Sequence, residues 1–91
     1  MAELTREDLK VGRVYCAKRP RPIMLGFDRL YNDRQIRWMG AFEMQYDGPT
    51  VKNGSRYPRI TIEKFLKWAD RDVTDECPPG DWRPYGPHQK P

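Results

Sequence analysis

Between positions 35 and 46 every even residue is apolar or Gly: Ile36, Trp38, Gly40, Phe42, Met44 and Tyr46. The odd positions (Gln35, Arg37, Met39, Ala41, Glu43, Gln45) are mostly polar or small. A period of two marks an extended strand with one buried face. Twelve residues at about 3.3 Å each would span roughly 40 Å, against a diameter of about 30 Å for a compact chain of this length. The pattern therefore predicts a strand that bends, with Gly40 at its middle as the cheapest hinge. A long, bent, one-sided strand is how a small barrel or orthogonal sandwich carries one strand into both of its sheets. In that arrangement Trp38 and Phe42 belong to the core.

Shorter patterns flank this segment. Thr5 is placed to cap a short helical turn with Glu7 and Asp8 at its positive end, and Leu4 and Leu9 are spaced as a hydrophobic staple. Positions 13 to 17 alternate, with Val14 and Cys16 on one face and Tyr15 on the other, which predicts a first strand. Pro20 and Pro22 break it into an exposed loop or sheet edge. Positions 23 to 27 alternate again, and Asn32-Asp33 predicts the turn of a hairpin leading into the long strand. Asp47-Gly48-Pro49 and Asn53-Gly54-Ser55 bracket a loop, with a short strand at 50 to 52 within it.

Thr61 then stands where a cap is needed before Ile62, Phe65, Leu66 and Ala69, the spacing of one helix face. Val73-Thr74 is expected to return to the sheet as the last strand. The remaining chain carries five prolines between Pro78 and Pro91 and predicts an irregular tail. Residues 1–76 are thus expected to form one mainly β domain, a small antiparallel barrel of about five strands with one or two helical turns. Residues 77–91 form a Pro-rich tail whose deletion from 78 onward should leave the barrel standing.

Composition adjusts the picture modestly. The chain has 91 residues, of which 37% are hydrophobic and 33% charged, so the eleven aromatic rings must supply much of the buried area. The charge of +4 raises the prospect of a polyanionic partner only slightly. No apolar run is long enough to span a membrane, and the N-terminal residues lack the pattern of a signal peptide. Cys16 and Cys77 stand far apart without a Cys-x-x-Cys spacing. They read as a core residue and a free thiol in a cytoplasmic protein.

Catalysis is argued against by missing parts. Ser55 lies in a Gly loop and His88 in the tail, so neither a Ser–His nor a Cys–His pair has a folded support. One His and two distant Cys do not make a tetrahedral metal set, and no phosphate-cradling Gly motif occurs. The carboxylates are scattered and none sits at a position that reads as buried. No enzyme activity, metal or cofactor is expected.

Two groups of residues are candidates for binding. Lys18, Arg19 and Arg21 place three cations in four residues on a Pro-held loop, and Arg34 and Arg37 extend the patch beside Tyr31 as a stacking ring. The plainer reading of Lys, Arg and Pro there is an edge protected against strand pairing. Trp68, at the margin of the helix, and Trp82 and Tyr85, in the tail, form the second group and would anchor a protein partner. For the tail two conformations stand open: folded back on the barrel, or an extended peptide offered to a partner.

The order of parts, with a capped turn, a strand after Val11-Gly12, a basic turn, a hairpin and the late turn Phe65-Leu66-Lys67-Trp68-Ala69, resembles the SH3-like small barrels of phage and plasmid proteins over residues 9 to 74. The resemblance implies a binding module of a phage or mobile element and carries over no functional residue, since such barrels bind proteins, peptides, DNA and RNA alike. The expectation is a non-enzymatic module contacting nucleic acid through the basic loop. The alternative is an accessory protein that captures a host protein through its late aromatics.

Overall fold

The computed structural model describes residues 3–52 and 54–85; Asn53, His88 and the end of the tail lie outside them. Among the described residues seven strands form two antiparallel sheets. Strands β1 (Val14–Ala17), β4 (Arg34–Met39), β5 (Glu43–Asp47), β6 (Arg59–Thr61) and β7 (Ala69–Asp72) make one sheet in the order β6-β5-β4-β1-β7. Strands β2 (Pro22–Leu25) and β3 (Asp28–Tyr31) make a separate hairpin. Helix α1 (Ile62–Trp68) leads directly into β7, and short 3-10 turns occupy Arg6–Asp8 and Thr74–Glu76.

The expected long bent strand is two strands. Gly40 lies in the connection between β4 and β5, which pair back on each other from Gln35↔Asp47 to Met39↔Met44. The overshoot of a straight strand is relieved by a complete reversal. A bulge between Ile36 and Trp38 also shifts the register, and an extra residue in one strand moves the following side chains to the other face. Ile36 and Met39 therefore both reach the core, while Trp38 is 44% exposed and Phe42, in the turn, 80%. Both had been placed inside by their phase. The Trp38 ring instead covers Gly40, where a Cβ would stand only 2.6 Å from the indole; Gly is what lets that ring lie flat.

The core has two parts, divided by β1. Tyr15 joins Leu9, Ile36, Met44, Ile62, Phe65 and Ala69 on one face. Val14 and Cys16 point the other way and pack with Val73, Cys77 and Trp82. The alternation along β1 is as the sequence predicts, but both faces are covered, so all four residues are buried. Tyr15 is buried at no polar cost, since its hydroxyl donates to the Asp8 carbonyl at 2.8 Å and accepts from the Lys10 N–H at 3.0 Å.

Thr61 caps α1 as expected, its Oγ1 accepting from the Lys64 N–H at 3.1 Å. The last strand comes earlier than position 73: Ala69–Asp72 already pairs with β1, and Val73 follows it as a core residue. Residues 50 to 52 form a turn rather than a strand. The two cysteines are free, Cys16 buried and Cys77 half-buried.

The segment 77–85 is irregular, as its prolines require, but it is part of the fold. Trp82 covers the second core cluster, Pro84 bridges to Leu30 of β3, and the Tyr31 and Tyr85 N–H groups donate to the Arg83 and Arg29 carbonyls at 3.0 and 2.9 Å. Of the two conformations left open for the tail, these residues take the folded-back one. Residues 77–85 thus add contacts to the fold that the expectation of a dispensable tail leaves out. Among the described residues no helix is long and apolar enough to cross a membrane.

Candidate functional site

The basic loop and the late helix meet in one cleft. Lys18, Arg19 and Arg21 leave β1, Asn32 and Arg34 lead into β4, and Lys67 and Trp68 end α1; together with Ala17 they line a hollow of about 550 Å³. The Lys18 N–H donates to the Trp68 carbonyl at 2.8 Å, so the loop is tied at its root to the helix end. Asn32 ties its other end, accepting from the Arg21 N–H at 2.9 Å. Five of the eight lining residues are cationic and none is acidic. The nearest opposing charge is Glu3, at 4.0 Å from the Lys18 ammonium and largely in solvent, a spacing and exposure worth little.

Arg34 is the distinctive member. Its guanidinium lies 4.3 Å from the centre of the Tyr46 ring and 4.2 Å from that of Trp68, a cation held between two aromatic groups. Among the described residues it makes no salt bridge and no side-chain hydrogen bond. Burial pulls its pKa below the ordinary arginine value, opposed only by the Tyr46 phenol. A half-buried guanidinium with its five N–H groups unspent is stabilised by any anion that reaches it.

Arg83 shows the contrast. It is nearly as buried as a core residue, and its Nε and Nη2 bond both oxygens of Asp33 at 2.8 and 3.0 Å. Its Nη1 adds Glu76 at 3.2 Å, and its guanidinium lies 3.8 Å above the Tyr31 ring. Asp33 is only 1% exposed, which corrects the expectation that no carboxylate is buried. This pair is internally satisfied and belongs to the architecture.

Four of the six residues expected to contact nucleic acid are thus brought together: Lys18, Arg19, Arg21 and Arg34. Tyr31 is not with them. Its ring is covered by Arg83 and by Tyr85, whose centroid is 4.8 Å away. Arg37 lies outside the cleft, hydrogen-bonded to Gln35 at 3.1 Å with its guanidinium 5.2 Å from the Tyr57 ring. Of the aromatics expected to anchor a protein, Trp68 lines the basic cleft, while Trp82 and Tyr85 are engaged within the fold. Lys67 joins the cleft as well, although its sequence neighbourhood, with Arg56, Arg59, Lys64 and the interleaved Glu63 and Asp70, reads as an ordinary helix surface. Only its place one residue before Trp68 at the helix end puts it there.

Among the described residues no three His, Cys, Asp or Glu side chains gather as a metal site. No protein-family model matches the chain, and no curated protein or solved structure matches it either.

Proposed function

We propose that the protein is a non-enzymatic binding module that holds a nucleic-acid backbone in the cleft between its basic loop and the end of α1. The observation that carries this reading is Arg34, a half-buried cation with no salt-bridge partner among the described residues, lining a hollow with four further cations and no acid. A phosphate ester supplies the missing charge and can accept two guanidinium N–H bonds at once. A repeating phosphate chain suits five cations spread along a cleft better than a single small anion does. The adjacency of the first and last strands, β1 and β7, in a five-stranded antiparallel sheet supports reading the architecture as an SH3-like small barrel, of the kind used by phage and mobile-element accessory proteins. The competing reading, capture of a host protein by Trp68, Trp82 and Tyr85, is weakened because Trp82 and Tyr85 already have partners inside the chain.

The test uses two variants. Lys18→Ala/Arg19→Ala/Arg21→Ala removes exposed charges without touching the core, and Arg34→Met keeps a chain of similar length between the rings. Fluorescence anisotropy with labelled DNA and RNA oligonucleotides should show the triple variant binding roughly a hundredfold more weakly, and Arg34→Met about tenfold. Affinities equal to that of the unmodified chain would end the reading.

A further inference from the structure

The β2–β3 hairpin leaves an unusual surface. Leu25↔Asp28 is its last pair, so Gly26 and Phe27 form a two-residue loop, with Gly26 at φ +61°, a backbone conformation that Gly adopts without strain. Phe27 at that tip is fully exposed, and Met24 and Leu25 beside it are 61% and 43% exposed. Three large apolar side chains at the end of a free hairpin are expensive to keep in water. The root is firm by contrast: residues 83–85 run along β3 through the Leu30–Pro84 bridge and the backbone bonds of Tyr31 and Tyr85. All six residues from Met24 to Arg29 are exposed, and at about 3.3 Å per residue the arm stands roughly 10 Å beyond the Ile23–Leu30 pair.

We propose that this hairpin is an arm that enters the minor groove of duplex DNA and wedges Phe27 between two base pairs while the basic cleft holds the adjacent backbone. The inference rests on the nucleic-acid reading of the cleft and names the form of the partner. Arg19 and Arg21 of the cleft lie at the arm's root, and Arg29 lies opposite Met24 near its tip. The arm therefore ends in apolar side chains, with Asp28 and Arg29 offsetting each other's charge beside them, and its uncompensated cations, Arg19 and Arg21, stand at the root where phosphates are. The minor groove is about 7.5 Å deep, within the arm's reach, and its resting width of about 6 Å is opened to a two-stranded arm only by the kink that a wedged side chain makes. Phe, Leu and Met are the side chains that part base steps there, and the unstacking they cause bends the duplex. A lipid surface would also accept Phe27, but it is flat, whereas the cations at the root line a hollow that fits a ridge.

The experiment uses the full chain with a 20-base-pair duplex carrying 2-aminopurine at a central TA step, the matching single strand, and phosphatidylserine vesicles. The unmodified protein should raise 2-aminopurine fluorescence severalfold on binding the duplex. Phe27→Ala should abolish that rise and weaken duplex binding about tenfold. Duplex binding with no fluorescence rise and no effect of Phe27→Ala would overturn the wedge while the cleft reading stands. Loss of nothing in the Lys18/Arg19/Arg21 triple variant, or no binding to either nucleic acid, would overturn both. Phe27-dependent vesicle binding, or Phe27-dependent self-association, without unstacking of the duplex would also overturn it.

Discussion

Asp33 and Arg83 are fifty positions apart, and neither makes sense without the other. A carboxylate that is almost wholly buried is tolerable only with its charge matched and its lone pairs filled. The two bonds from Arg83 do both. Asp33→Ala leaves the guanidinium of Arg83 buried against Tyr31 with Glu76 as its remaining partner, and should cost about 3 kcal/mol. Urea denaturation should show this as a lower midpoint with an unchanged slope; a shift below about 0.5 kcal/mol would mean that the pair contributes no more than a surface ion pair does. From the sequence Asn32-Asp33 reads as the turn of a hairpin into the long strand, but these residues only link β3 to β4, which lie in different sheets; the reversal is at Gly26-Phe27. Whether the Asp33 carboxylate faces water or a cation is decided by a residue brought in from the far end of the chain. Arg34, next in sequence, has the opposite fate: two rings and no acid.

At the level of elements, the turn at Thr5, the first strand and the cap of α1 at Thr61 were all legible, because each depends on neighbours within a few residues. The β4–β5 segment was half legible. Its period of two correctly signals extended backbone with Ile36 and Met44 inside, yet alternation is the same for one long strand and for two strands reversed at Gly40. The bulge after Ile36 is silent in the sequence as well, and it alone exchanges Trp38 for Met39 at the core. The conformation of the tail was left open for a related reason. Prolines forbid ladder bonds from their own nitrogens but do not prevent Trp82 from covering Val14, Cys16 and Val73. Deleting residues 78–91 should therefore destabilise the domain by 3 kcal/mol or more, on the order of a broken buried ion pair. Added to Asp33→Ala, the deletion should cost less than the two effects combined, since both remove the same Asp33–Arg83 contact. A truncated chain with an unaltered melting temperature would show that the segment only rests on the surface.

Across the whole molecule, the formal charge of +4 understates what a partner meets. Four of the acids (Asp33, Glu43, Asp72 and Glu76) are engaged in ion pairs elsewhere on the fold, while the five cations of the cleft meet only Glu3, at 4.0 Å from Lys18 and largely in solvent. The concentration of charge, not its total, sets the response to salt, because each neutralised phosphate releases condensed counterions. Five contacts predict a slope of log affinity against log salt of about −4.5 on duplex DNA and about −3.5 on a single strand. The triple variant of the loop should retain two of the five contacts and fall to a slope of about −1.8 on duplex. Arg37, outside the cleft and 5.2 Å from the Tyr57 ring, supplies the control: Arg37→Ala should leave the slope unchanged. If Arg37→Ala flattens it as much as a change within the cleft does, the phosphates follow the outer face of β4 and the cleft is not their seat.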